Sequence, residues 1–191
     1  MDTPIPPRNR RQAIVDAALD LFAEKGIRAT TTRDIAARAG ITEGAIYRHF
    51  PSKDALAGGI FVDCMMRLLV HLQAAAAEGD TARERLCRTA RAFLDFAEAT
   101  PAAYNYIMVS HQDDLQALMA QETKPKDIVA AIIADGMAAG EFREMDVQLA
   151  TAFVIGICIR TVFFWNAGML DMPREEVVLG VCNAVHAILC K

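Results

Sequence analysis

The sequence predicts an all-α protein of about nine helices, in which an N-terminal helix-turn-helix precedes a larger helical part. Apolar residues recur at the three- and four-residue spacing of a helix along the chain, and no segment shows the alternation of a strand. Capping residues and glycines divide the apolar segments into helix-sized pieces. The chain has 191 residues, 53% of them hydrophobic, which is enough for one large or two small domains with a substantial core.

The first helix has one apolar face and a glycine at its end. Its apolar residues fall at positions i, i+3, i+4, i+7 and i+8, namely Ile14, Ala17, Ala18, Leu21 and Phe22. Gly26 follows as a C-terminal cap, because glycine adopts the left-handed backbone that ends a helix. We therefore expect a helix of about 15 residues that ends near Gly26.

Two short helices follow, joined by a tight turn. Thr31 and Asp34 have the spacing of a capping box, which predicts the start of the second helix, and Gly40 predicts its end. Thr42 predicts a third helix that ends at about His49. Two short helices with a glycine in the connecting turn form a helix-turn-helix.

Caps and prolines predict six further helices. They cover about 53–78, 82–98, 101–111, 125–140, 146–167 and the segment from 173 onward, while 112–124 stays ambiguous and partly helical. The break at Pro51 and Ser52 is the natural domain boundary. We expect a helix-turn-helix domain at 1–51, with a flexible basic arm at 1–10, and a larger helical domain at 52–191.

The charges are divided unevenly between these two parts. The whole chain carries a net charge of −4. Residues 1–50 carry eight Lys or Arg and six Asp or Glu, and the remainder carries 12 Lys or Arg and 18 Asp or Glu. The N-terminal part is therefore positively charged and the rest of the chain negatively charged. This asymmetry is compatible with a nucleic-acid partner for the N-terminal part.

Neither the N-terminus nor the apolar helices indicate export or membrane insertion. The N-terminal segment is polar and basic and lacks the apolar core of a signal peptide. The longest uncharged apolar run in the C-terminal half, 147–159, is closed by Arg160 and is too short to span a bilayer. We expect a soluble, cytoplasmic protein.

The five cysteines occur singly in apolar stretches, without a CxxC or any metal-type spacing. They are Cys64, Cys87, Cys158, Cys182 and Cys190. Such a set predicts reduced core thiols in a reducing compartment, with redox sensing as the alternative. We expect no cofactor and no structural metal.

The third predicted helix has a surface suited to a DNA groove. Gly44 and Ala45 are small and allow the backbone to approach a partner closely, and Tyr47, Arg48 and His49 follow them. An α-helix fits the major groove with its N-terminal residues at base edges, and neighbouring polar side chains hold phosphates. On spacing alone, a helix-turn-helix that serves only for packing is an equally good interpretation.

The ordered pattern of the first quarter of the chain resembles the DNA-binding domain of the TetR family of bacterial transcriptional regulators. The matching residues are Ile14, Ala17, Ala18, Leu21, Phe22, Gly26, Thr31, Thr32, Ile35, Ala36, Ala39, Gly40, Ile41, Thr42, Gly44, Tyr47, His49, Phe50, Ser52, Lys53 and Leu56. The run from Gly136 through Gly140, Glu141 and Phe142 to Asp146, ahead of a long apolar helix, resembles the family more weakly.

The resemblance implies a homodimer that binds a palindromic operator in double-stranded DNA and is released by a small effector. Its C-terminal domain, 52–191, would bind the effector and dimerise; repression rather than activation is the family's usual mode. The DNA-facing positions it implies are Thr32, Arg33, Thr42, Glu43, Gly44, Ala45, Tyr47, Arg48, His49 and Lys53. Arg48 is the first choice for a guanine, with a phosphate as the alternative. The arm residues Arg8, Arg10 and Arg11 either add DNA contacts or only aid solubility.

The helices of the C-terminal part supply candidates for an effector pocket and a dimer interface. Pocket candidates are apolar or aromatic with a few polar anchors: Phe61, Met65, Met66, Phe93, Phe96, Tyr104, Met108, His111, Phe153, Ile157, Arg160 and Phe164. The interface candidates on the last two helices are Trp165, Val178, Val181, Cys182, Val185 and Leu189. An ordinary core is the alternative for each of these positions.

Two polar residues in these helices require a partner or a solvated position. Arg160 interrupts an apolar helix, so it meets an acidic effector, an acid across the dimer or an acid within the chain, the last being the simplest. His111 beside Asp113 and Asp114 has metal-ligand chemistry, but a solvated loop is the simpler interpretation.

Two other functional classes compete with a regulator. An enzyme is disfavoured, because the triad-type residues Ser110, His111 and Asp113 are sequence neighbours and no nucleophile elbow, glycine loop or zinc motif accompanies them. A helical ligand-binding or interaction protein without specific DNA binding is the second alternative. The complete set of polar residues on the third helix argues against it.

Overall fold

A computed structural model of the chain describes residues 7–109 and 124–190, and all regular structure in these ranges is helical. The helices are α1 Pro7–Ala29, α2 Thr32–Ala39, α3 Glu43–Tyr47, α4 Lys53–Ala76, α5 Ala82–Ala99, α6 Pro101–Val109, α7 Pro125–Ala138, α8 Val147–Asn166 and α9 Arg174–Leu189. The all-α prediction with about nine helices is confirmed.

Local capping chemistry sets most of the helix ends where the sequence predicts them. The Thr31 hydroxyl accepts from the Asp34 amide, and the Asp34 carboxylate accepts from the Thr31 amide, which completes the capping box of α2. Gly40 ends that helix at φ 65°. The Ser52 hydroxyl accepts from the Ala55 amide at 3.0 Å at the start of α4.

Two N-terminal helices differ from their predicted lengths. α1 begins at Pro7, so residues 7–10 of the expected arm are helical, and Gly26 interrupts the helix at φ 81° before a last turn. α3 ends at Tyr47, and Arg48 and His49 form the following turn. Thr42 has the extended backbone of an N-cap, but its side chain accepts no capping hydrogen bond.

Contacts divide the described chain into two compact units. The first comprises 7–65 and 100–109, and the second comprises 66–99 and 124–190. α4 therefore begins in the first unit and ends in the second. In the first unit, Tyr106 of α6 stacks on Phe22 at 5.6 Å between ring centroids, and its hydroxyl donates to the Ala57 carbonyl of α4. These contacts join α1, α4 and α6 beneath the helix-turn-helix.

One buried cluster of the second unit joins five helices and a connecting loop. Its members are Ala76, Ala82, Leu86, Ala90, Val129, Ile132, Ile133, Phe142, Ala150, Val154, Cys158, Val181, Val185 and Leu189. Phe142 packs against α7 because residue 136 is glycine: a Cβ there would lie 2.3 Å from the Phe142 ring. An alanine at 136 would require the core to move.

The loop after α7 connects the ends of two other helices. The Glu141 carboxylate accepts from the amides of Ala82 and Arg83 and so caps α5. The Arg143 amide donates to the Leu189 carbonyl at the end of α9. A single short loop therefore satisfies backbone groups at both helix ends, which would otherwise lack partners.

The prediction that all five cysteines are reduced thiols is wrong for two of them. Cys87 of α5 and Cys182 of α9 form a disulfide, with Cα atoms 5.3 Å apart. Cys64 and Cys158 are buried free thiols, and Cys190 is a partly exposed one. The pair is 95 residues apart in sequence, so only the packing of α5 against α9 brings it together.

Two helices are long and apolar enough to cross a membrane by length and composition alone: α4, Lys53–Ala76, and α8, Val147–Asn166. In α8 the apolar segment extends beyond the run 147–159, because the single charge of Arg160 leaves the helix apolar on average. Core helices of soluble proteins pass the same test, and half of the apolar window of α4 is buried within the chain. In α8 the buried share is 28%, which leaves an extensive exposed apolar surface.

Candidate functional site

The short helix α3 has one buried anchor and an otherwise open surface. Ile46 is fully buried, whereas Tyr47 is 50% exposed and Arg48 and His49 are exposed. A Cβ added to Gly44 would meet nothing within 4 Å, so this part of the helix faces open space. The surface therefore offers a closely approachable backbone beside three polar side chains.

Hydroxyl and carboxylate contacts hold α3 against the start of α2. The Thr32 hydroxyl donates to the Glu43 carboxylate, and it lies 3.4 Å from the Tyr47 hydroxyl. Three of the residues predicted to face DNA therefore form one cluster. This cluster fixes the Tyr47 side chain beside the first turn of α2.

Ion pairs neutralise part of the positive charge of this unit. The Arg38 guanidinium donates two hydrogen bonds to Glu24, at 3.0 and 2.9 Å, and Lys25 donates to Asp34 at 2.8 Å. The hydrogen bond from Lys25, with that from the Thr31 amide, holds the pKa of Asp34 far below its usual range. In the described part of the chain, Arg10, Arg28, Arg33 and Arg48 of this unit make no ion pair. Arg33 lies on α2 and Arg48 directly follows α3, so these two are the unpaired cations nearest the surface of α3.

Lys53, predicted to hold a phosphate, has a structural role in the free chain. Its ammonium donates to the carbonyls of Ile27 and Thr30, both at 3.0 Å. These carbonyls lie at and just after the end of α1, and the Ile27 carbonyl also accepts from the Thr30 amide at 3.3 Å. The side chain is only partly exposed, and one of its three donor hydrogens is left.

The basic arm is also more structured than the sequence suggested. Arg11 lies on α1, with its guanidinium 3.8 Å from Asp63 and 5.1 Å from the centroid of the Phe50 ring. Arg10 is exposed on the same helix. The side chain of Arg8 lies outside the described residues. Arg11 is therefore directed toward its own unit.

The pocket candidates fall into three classes of exposure. Phe61, Phe96 and Tyr104 are buried; Met65, Phe93, Met108 and Ile157 are partly buried; and Met66, Phe153, Arg160 and Phe164 are exposed. His111 lies outside the described residues. Phe61, Met65, Tyr104 and Met108 belong to the first unit and the other described candidates to the second. The exposed candidates of α8 lie on its outer surface.

The environment of Arg160 differs from the expected internal salt bridge. It is exposed, and its guanidinium lies 4.8 Å from the ring centroid of Phe163 and 5.6 Å from that of Phe164. Within the described ranges no acid pairs with it. The charge is stabilised by water and by two aromatic faces.

The interface candidates are mostly buried within the chain itself, as the alternative of an ordinary core predicts. Val178, Val181, Val185 and Leu189 are at most 5% exposed within one chain, and Cys182 is in the disulfide. Trp165 is partly exposed. These four side chains are covered within the chain, where α9 packs on α5 and α8.

The opposite side of α8 and α9 carries an exposed apolar surface, here called the outer face. On α8 it comprises Leu149, Phe153, Gly156, Arg160, Phe163 and Phe164, and on α9 Leu179 and Gly180. Their spacing places each set on one side of its helix. A Cβ on Gly156 or Gly180 would meet nothing within 4 Å, so both backbones are open to close approach.

The second unit also contains a cavity that the sequence did not indicate. A cavity of about 180 Å³ between α5 and α9 is lined by Arg83, Leu86, Cys87, Ala90, Phe142, Leu179, Cys182, Asn183, Val185, His186 and Leu189. It adjoins an open groove of about 880 Å³ that shares Arg83, Cys87, Phe142 and His186. None of the pocket candidates lines either space. Among the described residues, no group of three or more metal-ligating side chains occurs.

Two family descriptions match separate stretches of the chain. The sequence profile of the family described as bacterial regulatory proteins, tetR family, matches residues 14–60, and that of the tetracyclin repressor-like C-terminal domain matches 79–167. The first match covers the helix-turn-helix and the first part of α4. The second match extends from the loop before α5 to the end of α8.

Individual relatives are transcriptional regulators. The HTH-type transcriptional repressor KstR2 of Rhodococcus jostii is 32% identical over 76% of this chain and 74% of its own length. The fatty acid metabolism regulator protein of Bacillus subtilis is 26% identical over 95% and 94%. The crystal structure of the transcriptional regulator FadR from Bacillus subtilis in complex with stearoyl-CoA superposes with a TM-score of 0.76, at 24% identity over 92% and 95% of the two chains.

Proposed function

Because the chain belongs to the TetR family of bacterial regulatory proteins, we propose that it is a homodimeric repressor that binds a palindromic operator and is released by a small, largely apolar effector. The observation that carries the DNA-binding half of this proposal is the surface of α3. One buried isoleucine fixes the helix, and the opposite side is open, small and polar. Proteins of this family act as regulators, so catalysis is not part of the proposal.

The segment 42–49 would enter the major groove. Thr42, Glu43, Gly44 and Ala45 lie at the N-terminal end, where a recognition helix meets base edges. Arg33 and Arg48 are unpaired cations in the described chain and suit phosphates or a guanine edge. Thr32, Tyr47 and His49 complete the surface, with Tyr47 held by the Thr32 and Glu43 cluster. Lys53 would contribute mainly by holding the end of α1.

The segment 52–191 would bind the effector and dimerise, and 1–51 would bind DNA. An acyl-CoA is the first effector to test, because stearoyl-CoA is bound to the FadR structure and the pocket candidates of this chain are largely apolar. The dimer would form through the outer face of α8 and α9, since large exposed apolar surfaces mark interaction sites. A cytoplasmic location follows from an operator as partner.

The alternative of a helical ligand-binding protein without specific DNA binding is not favoured. It would require the helix-turn-helix to serve only for packing. The exposed, unpaired arginines and the open surface at Gly44 serve no packing purpose, and the family match covers the complete helix-turn-helix.

The function is tested by selection of bound fragments from sheared host DNA with the purified chain at near-physiological salt. We expect enrichment of a palindrome with half-sites about one helical turn, roughly 34–36 Å, or a multiple of it apart. Recovery of fragments without a common sequence, from a folded protein with and without added acyl-CoA, would contradict the proposal.

The residue-level test is Tyr47→Ala, measured by binding to the selected operator at fixed salt. We expect a loss of about tenfold or more, because a phosphate or base contact is worth about 1–3 kcal/mol. The fold should persist, since the side chain is half exposed. Tyr47→Phe keeps the ring and separates the contribution of the hydroxyl. Wild-type affinity in Tyr47→Ala would show that this surface does not bind the operator.

A further inference from the structure

We infer that the Cys87–Cys182 disulfide is a thiol-exchange site, which opens and closes in equilibrium with a low-molecular-weight thiol and its disulfide and so controls the attachment of α9 to α5. The two sulfurs join helices that are 95 residues apart in sequence. Nothing else covalent connects α9 to the rest of the second unit except the loop that precedes it. Thiol exchange can be measured on the purified protein without DNA, so its outcome does not depend on the proposed operator binding.

The site is accessible to a small reactant. Cys87 and Cys182 are both partly exposed, and both line the cavity of about 180 Å³. Cys87 also lines the open groove of about 880 Å³, which is large enough to admit a small peptide thiol. Exposed disulfides are the more easily reduced ones, and this disulfide lines the cavity and, through Cys87, the open groove.

One cationic and one imidazole side chain share the cavity with the two cysteines, and the acidic residues Glu84 and Glu141 line the adjoining groove. Arg83 precedes Cys87 by one helical turn, His186 follows Cys182 by one turn, and both line the same cavity as the cysteines. Arg83 makes no ion pair in the described part of the chain, and the Nδ1 atom of His186 is buried without a hydrogen-bond partner there. A permanent positive charge beside a cysteine favours the thiolate, which is the form that leaves and attacks in exchange.

The other cysteines provide an internal contrast. Cys64 and Cys158 are buried, and burial raises the pKa of the Cys158 thiol to about 12. Such thiols are unreactive at neutral pH. The environment of Cys87 and Cys182 therefore differs from that of the buried cysteines in access and in charge.

The exchange is a balanced two-electron step. The thiolate of a small thiol attacks one protein sulfur, the Cys87–Cys182 bond breaks, and the departing thiolate takes a proton from water. A second small thiol attacks the mixed disulfide and releases the second protein cysteine, which is also protonated, together with the oxidised small disulfide. Two electrons pass from the two small thiols to the protein, and the reverse sequence closes the bond.

The first experiment equilibrates the full chain in glutathione buffers of graded redox ratio and counts alkylated cysteines by mass spectrometry after denaturation. We expect three modified cysteines at the oxidising end and five at the reducing end, with Cys87 and Cys182 changing together. The transition should fall within the accessible range of the buffer, and exchange should proceed without denaturant. A pair that stays fully reduced in oxidised glutathione, or that opens only after unfolding, would overturn the inference.

The second experiment measures the stability of the protein and the amide exchange of its helices in the oxidised and reduced states. Reduction should lower the Tm by about 5–15 °C, because it removes a cross-link that closes a long loop. Amide exchange in 174–189 should accelerate on reduction while that of α1 and α2 is unchanged. Cys182→Ser should behave as the reduced form in every buffer. Cys190→Ser removes the thiol that lines the same groove as Cys87, and it should respond like wild type because exchange requires only the Cys87–Cys182 pair and a small thiol. Equal amide exchange in both redox states would also overturn the inference.

Discussion

The helix-turn-helix and the last two helices differ in how clearly their sequence separates inside from outside. In α2 and α3, apolar residues such as Ile35 and Ile46 are separated by polar ones, and those apolar residues are the buried ones. In α8, apolar residues occur on all sides of the helix. Val154 and Val162 are buried, while Phe153 and Phe163 are exposed.

The difference teaches that a helix which is apolar all round has a second surface to account for. An amphipathic helix of a folded domain has one apolar face, which the core of the domain buries. A helix such as α8 has one side in the core and leaves the other available for a further partner. The sequence pattern shows that both sides of α8 are apolar, but it does not distinguish the side that faces the core from the side that is exposed.

The largest expected effect tests which side of α8 and α9 meets a partner copy. Leu179→Arg, at a side chain that is 60% exposed, should raise the dimer dissociation constant about 100-fold or more, because central interface residues carry about 2–4 kcal/mol. Its neighbour Val181 is 3% exposed in the core. Val181→Ala should cost about 1–3 kcal/mol of folding free energy and leave the dissociation constant within a few-fold.

Sedimentation equilibrium over a concentration series, with thermal unfolding of the same samples, separates the two variants. Phe153→Arg should reproduce Leu179→Arg from the other helix. A Leu179→Arg chain that dimerises like wild type, with Val181→Ala dissociating instead, would return the interface to the residues first predicted from sequence. A wild-type chain that stays monomeric at high micromolar concentration would exclude the outer face as a dimer contact.

The features that the sequence predicts correctly depend on interactions between residues that are close in sequence. The caps at Thr31 and Ser52 and the stop at Gly40 depend on residues within four positions of each other, so the sequence shows them directly. The exposed side of α3 follows from the same short-range pattern. For these elements the prediction was correct, apart from the shorter α3 and the helical start of α1.

The features that the sequence did not predict depend on contacts between segments that are distant in sequence. The Cys87–Cys182 pair and the capping of Ala82 by Glu141 join residues 95 and 59 positions apart. Gly136 resembled a family position, but its physical reason, the close approach of the Phe142 ring, requires the packed loop. No periodicity encodes these contacts, because each depends on how whole helices pack.

Lys53 tests the region where the sequence was most informative. Lys53→Met should lower the free energy of unfolding by about 1–3 kcal/mol, because the carbonyls of Ile27 and Thr30 lose a charged donor. Lys25→Met, which removes an exposed ion pair with Asp34, is the matched control and should lower stability less than Lys53→Met does, because water screens an exposed pair. Urea denaturation measures both.

The outcome for Lys53 distinguishes a structural from a DNA-binding role. Lost stability, with an unchanged salt dependence of operator binding, would assign the ammonium to the end of α1. Unchanged stability, with a salt slope reduced by about one unit, would mean that Lys53 leaves those carbonyls for a phosphate in the complex. Both measurements use the same purified variant.

The smallest expected effect concerns the pH dependence of the α2 cap. Hydrogen bonds from Lys25 and the Thr31 amide hold the pKa of Asp34 well below its unfolded value, so its carboxylate stabilises the fold above that unfolded value. This contribution is lost as pH falls from the unfolded pKa, about 3.9, toward the lower folded one. We therefore expect Asp34→Asn to be less stable than wild type at pH 7 and the difference to shrink below about pH 4.

The matched control for this titration is Asp54→Asn, in the first turn of α4, where no side-chain ion pair is described. Its difference from wild type should stay small and nearly constant with pH, because only the general attraction of a helix N-terminus for negative charge is lost. Urea denaturation of the three proteins at several pH values and at two salt concentrations gives the comparison. A difference for Asp34→Asn that grows as pH falls would contradict the assigned direction of the pKa shift. A difference that disappears at high salt would attribute the effect to Lys25 rather than to the uncharged capping box, which salt does not screen.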